Sequence, residues 1–225
     1  MVIKTNGIVL NYIKYGDTSI IVRILTEELG YGSFIVNSIR SQKSKKSIGH
    51  FQPFSILELV VYVKESRDIQ RISDFKNHIP LHAIHQNFTK SAITLFLTEV
   101  LSKLLQSEPS SNPDLYHFIS DSIKEFDALS SGVENFHLQF LLKIATHLGF
   151  AFDEFETLFT SIDKLVPHAD GEHVLEKLII EPYGISLEVN RTVRNEIIDI
   201  MLDYFQHHVN LPRPKSLTVL RSVLN

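Results

Sequence analysis

Cysteine is absent from the 225 residues. No disulfide, thiolate zinc site or thiol nucleophile can be built, and the chain suits a reducing compartment. Glycine is sparse, and the nine glycines fall in neither the G-x-x-x-x-G-K-[ST] nor the G-x-G-x-x-G spacing, so no amide nest for a nucleotide phosphate is signalled. A G-x-S-x-G turn, which would expose a strained serine, is missing as well; only a dispersed Ser-His-Asp arrangement stays open. No stretch approaches the ~18 to 20 apolar residues of a membrane span. The start, MVIKTNGIVLNYIKYGD, is interrupted by Lys4, Asn6, Asn11, Lys14 and Asp17, which breaks the apolar core a signal peptide needs. The expectation is a soluble, cytoplasmic protein with no cofactor.

A more local absence is the informative one. Between Leu29 and Leu57 there is no acidic side chain, yet Arg40, Lys43, Lys45 and Lys46 fall within seven residues, framed by Phe34, Phe51 and Phe54. Cations spaced by Ser and Gln suit an exposed loop that lies along a polyanion, although lysine-rich surface loops are common in proteins that bind none. Residues 1–80 hold 11 Lys/Arg against 7 Asp/Glu, and residues 81–225 hold 11 against 19. The overall charge of −4 therefore combines a +4 part with a −8 part.

What is present divides at the same place. Up to about residue 80, β-branched and aromatic runs alternate with turn signals, giving five expected strands: 3–15, 18–26, 32–37, 54–64 and 69–75. Gly16-Asp17 and Gly30-Tyr31-Gly32 mark two tight hairpins. The run FSILELVVYVK is apolar on both faces apart from Glu58, as a central or barrel-closing strand would be. Five short strands in this length match a small closed barrel of the OB-fold type. After Pro80 the period changes to 3.6. Ile93, Phe96, Leu97, Val100, Leu101, Leu104 and Leu105 form one apolar stripe, Asn112-Pro113 opens the next helix, and Gly149 stops a third. Helices are also expected over 191–209 and 215–224, and irregular structure with short helices over 150–186. The fold class is thus α+β in two domains: 1–79 an OB-fold-like five-stranded barrel, and 80–225 an all-α helical domain.

Eleven histidines call for a metal test. If a helix starts by Pro80, His82 and His85 share a face near His78, but H-A-I-H lacks the glutamate of H-E-x-x-H, so capping or surface roles are favoured over zinc hydrolysis. His168, Asp170, Glu172 and His173 surround Gly171 with nitrogen and oxygen donors, an arrangement that is more often a solvated turn.

Five segments follow one another in an order that resembles the RecO family of bacterial recombinational-repair mediators: GIVL from Gly7, YGDTSIIV from Tyr15, LTEELG from Leu25, IRSQKS from Ile39 and FQPFSILEL from Phe51. The resemblance extends over nearly the whole chain. It implies an OB-fold followed by a helical domain, a non-catalytic protein that binds single- and double-stranded DNA without sequence specificity, and annealing of complementary strands. It also implies RecR and single-strand-binding protein as partners in loading a recombinase. Two departures stand out. Relatives often begin the basic loop with Lys-Gly where this chain has Asn37-Ser38, and many carry a four-cysteine zinc module that this chain cannot build.

An OB barrel holds single strands in a positive groove with aromatic faces for stacking. Arg40, Lys43, Lys45 and Lys46 are the expected phosphate contacts, and Tyr31 and Phe34, with Tyr12, the expected stacking faces. Arg191, Arg194, Arg213 and Lys215 are possible cations beside a groove for an acidic protein tail. Two rival readings remain: an OB-fold module for RNA or protein, and a histidine-dependent metal hydrolase.

Overall fold

The computed structural model describes residues 1–42, 46–107, 110–149 and 171–224. Strands β1 (Val2–Tyr15), β2 (Ser19–Thr26), β3 (Gly30–Val36), β4 (Ile56–Tyr62) and β5 (Ile69–Ile79) close into a barrel in the order β1-β2-β3-β5-β4. All neighbours are antiparallel except β3 and β5, which run parallel from Ser33↔Ile69 to Val36↔Ile72. β4 bonds to both β1 and β5, so neither of its edges is left open, as its apolar run requires. This is the five-stranded OB-fold-like barrel expected from the strand pattern.

Alternation sorts the strand residues into two populations. Val9, Ile20, Val22, Ile24, Phe34, Val36, Leu57, Leu59, Val61 and Ile72 fill the barrel interior. Gly7 belongs there because a Cβ would come within 2.7 Å of the Ile24 and Leu59 side chains. One end of the barrel is plugged by the β3–β4 connection: its 3-10 turn, Ile48–Phe51, sends Phe51 into the same interior, 4.7 Å from the Phe75 ring. On the outside, Ile8, Leu10, Leu25, Phe54 and Ile56 belong to the core of the helices. Phe54 sits in the left-handed region at φ 66°, held by its amide bond to the Val9 carbonyl (2.7 Å).

The helices are α1 (Ala83–Gln86), α2 (Phe88–Leu104), α3 (Pro113–Ala128), α4 (Phe136–His147), α5 (Gly171–Ile180), α6 (Arg191–Val209) and α7 (Leu217–Val223). The stripe read from the sequence, Ile93 to Leu104 on α2, is fully buried. Asn87, Asn112 and Asn190 cap α2, α3 and α6, each accepting a bond from the amide three residues on, which satisfies one orphan donor of each first turn. Lys90 is buried and donates to the carbonyls of Asp127 and Leu129 at the end of α3, a cation placed on a helix C-terminus. Helix α5 is a short helix of the kind expected within that segment. Leu175 and Leu178 are wholly buried at helical spacing.

Barrel and helices share one seam. Tyr31 Oη donates to the Ser102 carbonyl (3.1 Å), Asn11 Nδ2 to Ser102 Oγ (2.9 Å), and Ser111 Oγ to the Glu27 carbonyl (2.6 Å). No helix among the described residues is long and apolar enough to cross a membrane.

Candidate nucleic-acid interface

A β-bulge shifts the β1–β2 register between Val9 and Asn11, and β1 pairs with β4 only as far as Ile8. Its last turn therefore continues as a ribbon with β2 alone. The consequence is a row of directly opposed residues that crosses all five strands on the outer face: Ile13↔Ile21↔Ile35↔Arg71↔Tyr62. Ile13 is 61% exposed and Tyr62 51%, and the Arg71 guanidinium lies 6.0 Å from the Tyr62 ring centre. With strands about 4.8 Å apart, the row is roughly 19 Å long. Beside it run Asn11↔Arg23↔Ser33↔Ile69 and Tyr15↔Ser19, with Tyr15 53% exposed. None of these positions carries a carboxylate.

The other outer face has the opposite character. A cleft of about 630 Å³ there is lined by Glu27, Glu28, Glu58 and Asp74 together with Lys4, Lys76 and His78. Glu58 pairs with Lys76 (2.8 Å) and with His78 (3.3 Å); hydrogen bonding by Lys76 and then His78 holds its carboxyl below the usual range.

The cationic loop joins the two faces. Arg40 reaches back to the β1–β2 turn, donating from Nη1 to the carbonyls of Gly16 and Ser19 (3.2 Å each) and from its amide to Thr18 (2.8 Å). Those carbonyls fix the guanidinium beside Tyr15 without neutralising it. At the far end, Lys46 binds the Asp74 carboxylate and the Phe75 carbonyl, with its ammonium 4.4 Å from the Phe75 ring centre. Lys43 and Lys45 lie outside the described residues.

Comparisons with known proteins bear on the barrel and on the helices that follow it. Residues 1–78 match the model of the recombination protein O N terminal region, and residues 85–161 that of its C terminal region. Over the full length of both chains the sequence is 33% identical to the DNA repair protein RecO of Azobacteroides pseudotrichonymphae, 30% to that of Flavobacterium johnsoniae and 32% to that of Phocaeicola vulgatus. The chain belongs to the RecO family.

Several residues chosen from sequence for this RecO-family interface have other duties. Phe34 is 2% exposed inside the barrel, because even positions on β3 point inward; it cannot stack on a base. Tyr31 points outward but spends its hydroxyl on Ser102 and on Arg23 Nη1 (3.0 Å), at the seam with α2. Lys46 already holds a carboxylate. Tyr62 and Arg71 of the row, and Tyr15 beside it, were missed, since cross-strand register is needed to bring them together.

Among the helical cations, Arg194 is buried and donates to the Val189 carbonyl (2.9 Å), and Arg213 pairs with Asp199 and Asp203. Arg194 also lines a small cleft with Arg191, Ile198, Leu220 and Leu224. His82 is the N-cap of the short α1 and His85 lies within it, so the two do not share a face of a longer helix. No group of three or more His, Asp or Glu side chains among the described residues is placed to hold a metal ion. Residues 168–170 and the side chains of Glu172 and His173 lie outside the description, so the turn proposed there is untested.

Proposed function

We propose that this chain is a DNA repair and recombination mediator that binds single- and double-stranded DNA without reading sequence, anneals complementary strands, and assists recombinase loading where single-strand-binding protein covers the strand, working with RecR. A DNA repair role goes with the family and with the printed names of the relatives. The finer activity rests chiefly on one observation: a carboxylate-free row of apolar, aromatic and arginine side chains across the barrel, ending beside a loop with four cations. Exposed Tyr15 and Tyr62 offer π-faces to any base, Arg23, Arg71 and Arg40 offer charge to any backbone, and neither interaction depends on base identity.

Annealing needs no covalent step. Repulsion between two phosphate backbones opposes their pairing, and cations that neutralise part of it lower that barrier. A fluorescence-quenching assay on complementary strands, run without nucleotide or divalent metal, should show acceleration over spontaneous pairing. Unchanged rates would remove annealing from the proposal. RNA uses the same stacking and phosphate chemistry, so competition by RNA of equal length is the second arm; preference for RNA would favour an RNA-binding module.

A further inference from the structure

Below the cationic loop, between the β3–β4 connection, the end of β5 and α1, lies a polar cleft of about 360 Å³. Three imidazoles, His50, His82 and His85, line it, together with Ser47, Gln52 and Asn77. No carboxylate and no lysine or arginine is among its walls. We infer that this cleft is a second phosphate-binding site, which extends the loop's track for the same polynucleotide and takes its charge from protons acquired on binding. The inference rests on the nucleic-acid reading above.

The chemistry follows from how the rings are held. His50 Nδ1 faces the Ser47 carbonyl at 2.9 Å, so Nδ1 carries the hydrogen and Nε2 is the proton acceptor of the neutral ring. A phosphate oxygen at Nε2 therefore requires a second proton. His85 is half-buried, and burial holds its imidazole below the ordinary histidine range against the opposing pull of Asp127. His82 uses its backbone amide to bond Asp127 Oδ2 (3.2 Å), and Ile84 uses its amide for Oδ1 (2.8 Å), so the Asp127 carboxylate is engaged by the start of α1. Of the described charged groups on the surrounding elements, Lys46 pairs with Asp74, and Lys76 and His78 with Glu58. A phosphodiester does not titrate near neutrality. Protons taken up on binding must then come to the protein, and a phosphate that raises an imidazole pKa by one unit strengthens binding about tenfold at pH values below both pKa values.

The test is anisotropy of a labelled single strand at pH 6.0 and 8.0 in constant salt, comparing wild type with His50→Gln/His82→Gln/His85→Gln, whose fold is checked by circular dichroism. Wild type should bind roughly tenfold tighter at pH 6.0, and the triple variant should lose most of that ratio while matching wild type at pH 8.0. As an independent readout, imidazole nitrogen resonances of the three rings should titrate at higher pH with strand than without. A wild-type pH ratio retained in the triple variant, with rings that titrate alike in both states, would overturn the cleft while leaving strand binding intact. Absence of strand binding by wild type at both pH values would instead overturn the nucleic-acid reading.

Discussion

Lys46 and Asp74 are bound to each other across the gap between the cationic loop and β5, with Lys46 also over the Phe75 ring. Asp74 thus occupies the position on this lysine that a phosphate oxygen would take. Hydrogen bonding from Lys46, then from the Phe75 amide, holds the Asp74 carboxyl below its usual range. The pair is largely exposed, so its own contribution to stability is small. Strand binding would exchange one anion for another.

The first expectation follows directly. Asp74→Asn removes the competing carboxylate, so single strands should bind several-fold tighter at low salt. The slope of log K against log salt should steepen by about 0.7, one phosphate contact on a single strand. Anisotropy across a salt series measures both, and an unchanged slope would mean Lys46 never reaches phosphate.

Phe34 on one side, and Tyr62 and Tyr15 on the other, should separate stability from binding. Phe34→Ala opens a cavity in the barrel interior and should cost about 3–5 kcal/mol of unfolding free energy, seen as a lower urea midpoint. Tyr15→Ala and Tyr62→Ala remove exposed rings, so the midpoint should barely move while strand affinity drops by about 1–3 kcal/mol per lost stacking partner. The reverse pattern would place the interface elsewhere.

Much of this architecture could be read from residue order. β-branched runs and glycine turns located all five strands to within a few residues, the 3.6 period located α2, α3 and α4, and Asn112-Pro113 and Gly149 marked helix ends by their local chemistry. The interface was less legible. A loop cluster such as Arg40 to Lys46 is contiguous in sequence and visible there, whereas Ile13, Ile21, Ile35, Arg71 and Tyr62 are neighbours only through strand register, which the bulge near Leu10 resets. Phe34 and Tyr31 misled for one reason: an aromatic on a barrel strand looks the same from either face until the pleat is known.

His137 predicts acid sensitivity. It is 0% exposed, neither ring nitrogen has a hydrogen-bond partner among the described residues, and burial followed by the Arg194 charge pushes its pKa down to about 3. The ring is therefore neutral in the fold, while the unfolded chain takes up a proton near pH 6.5. Stability from this group is complete above pH 6.5 and is lost as pH falls toward 3, by about 2 kcal/mol at pH 5. Urea melts at pH 7.5 and 5.0 should show a smaller acid loss for His137→Leu than for wild type; equal losses would place the sensitivity in other groups.

Tyr31 should matter to the seam rather than to the strand. Tyr31→Phe deletes the bonds to Ser102 and Arg23 and should cost about 1 kcal/mol of stability, with strand affinity and salt slope unchanged. A loss of affinity without a loss of stability would return Tyr31 to the interface.

The central claim is that the cations of the β3–β4 loop neutralise phosphates. The direct measurement is anisotropy of a labelled single strand across a salt series, wild type against Lys43→Glu/Lys45→Glu/Lys46→Glu. With Arg40, Lys43 and Lys45 each contacting one phosphate and Lys46 offset by Asp74, wild type should give a slope of about −2, and the variant should fall to about −0.7 with much weaker binding. Equal slopes and affinities for the two proteins would contradict the account.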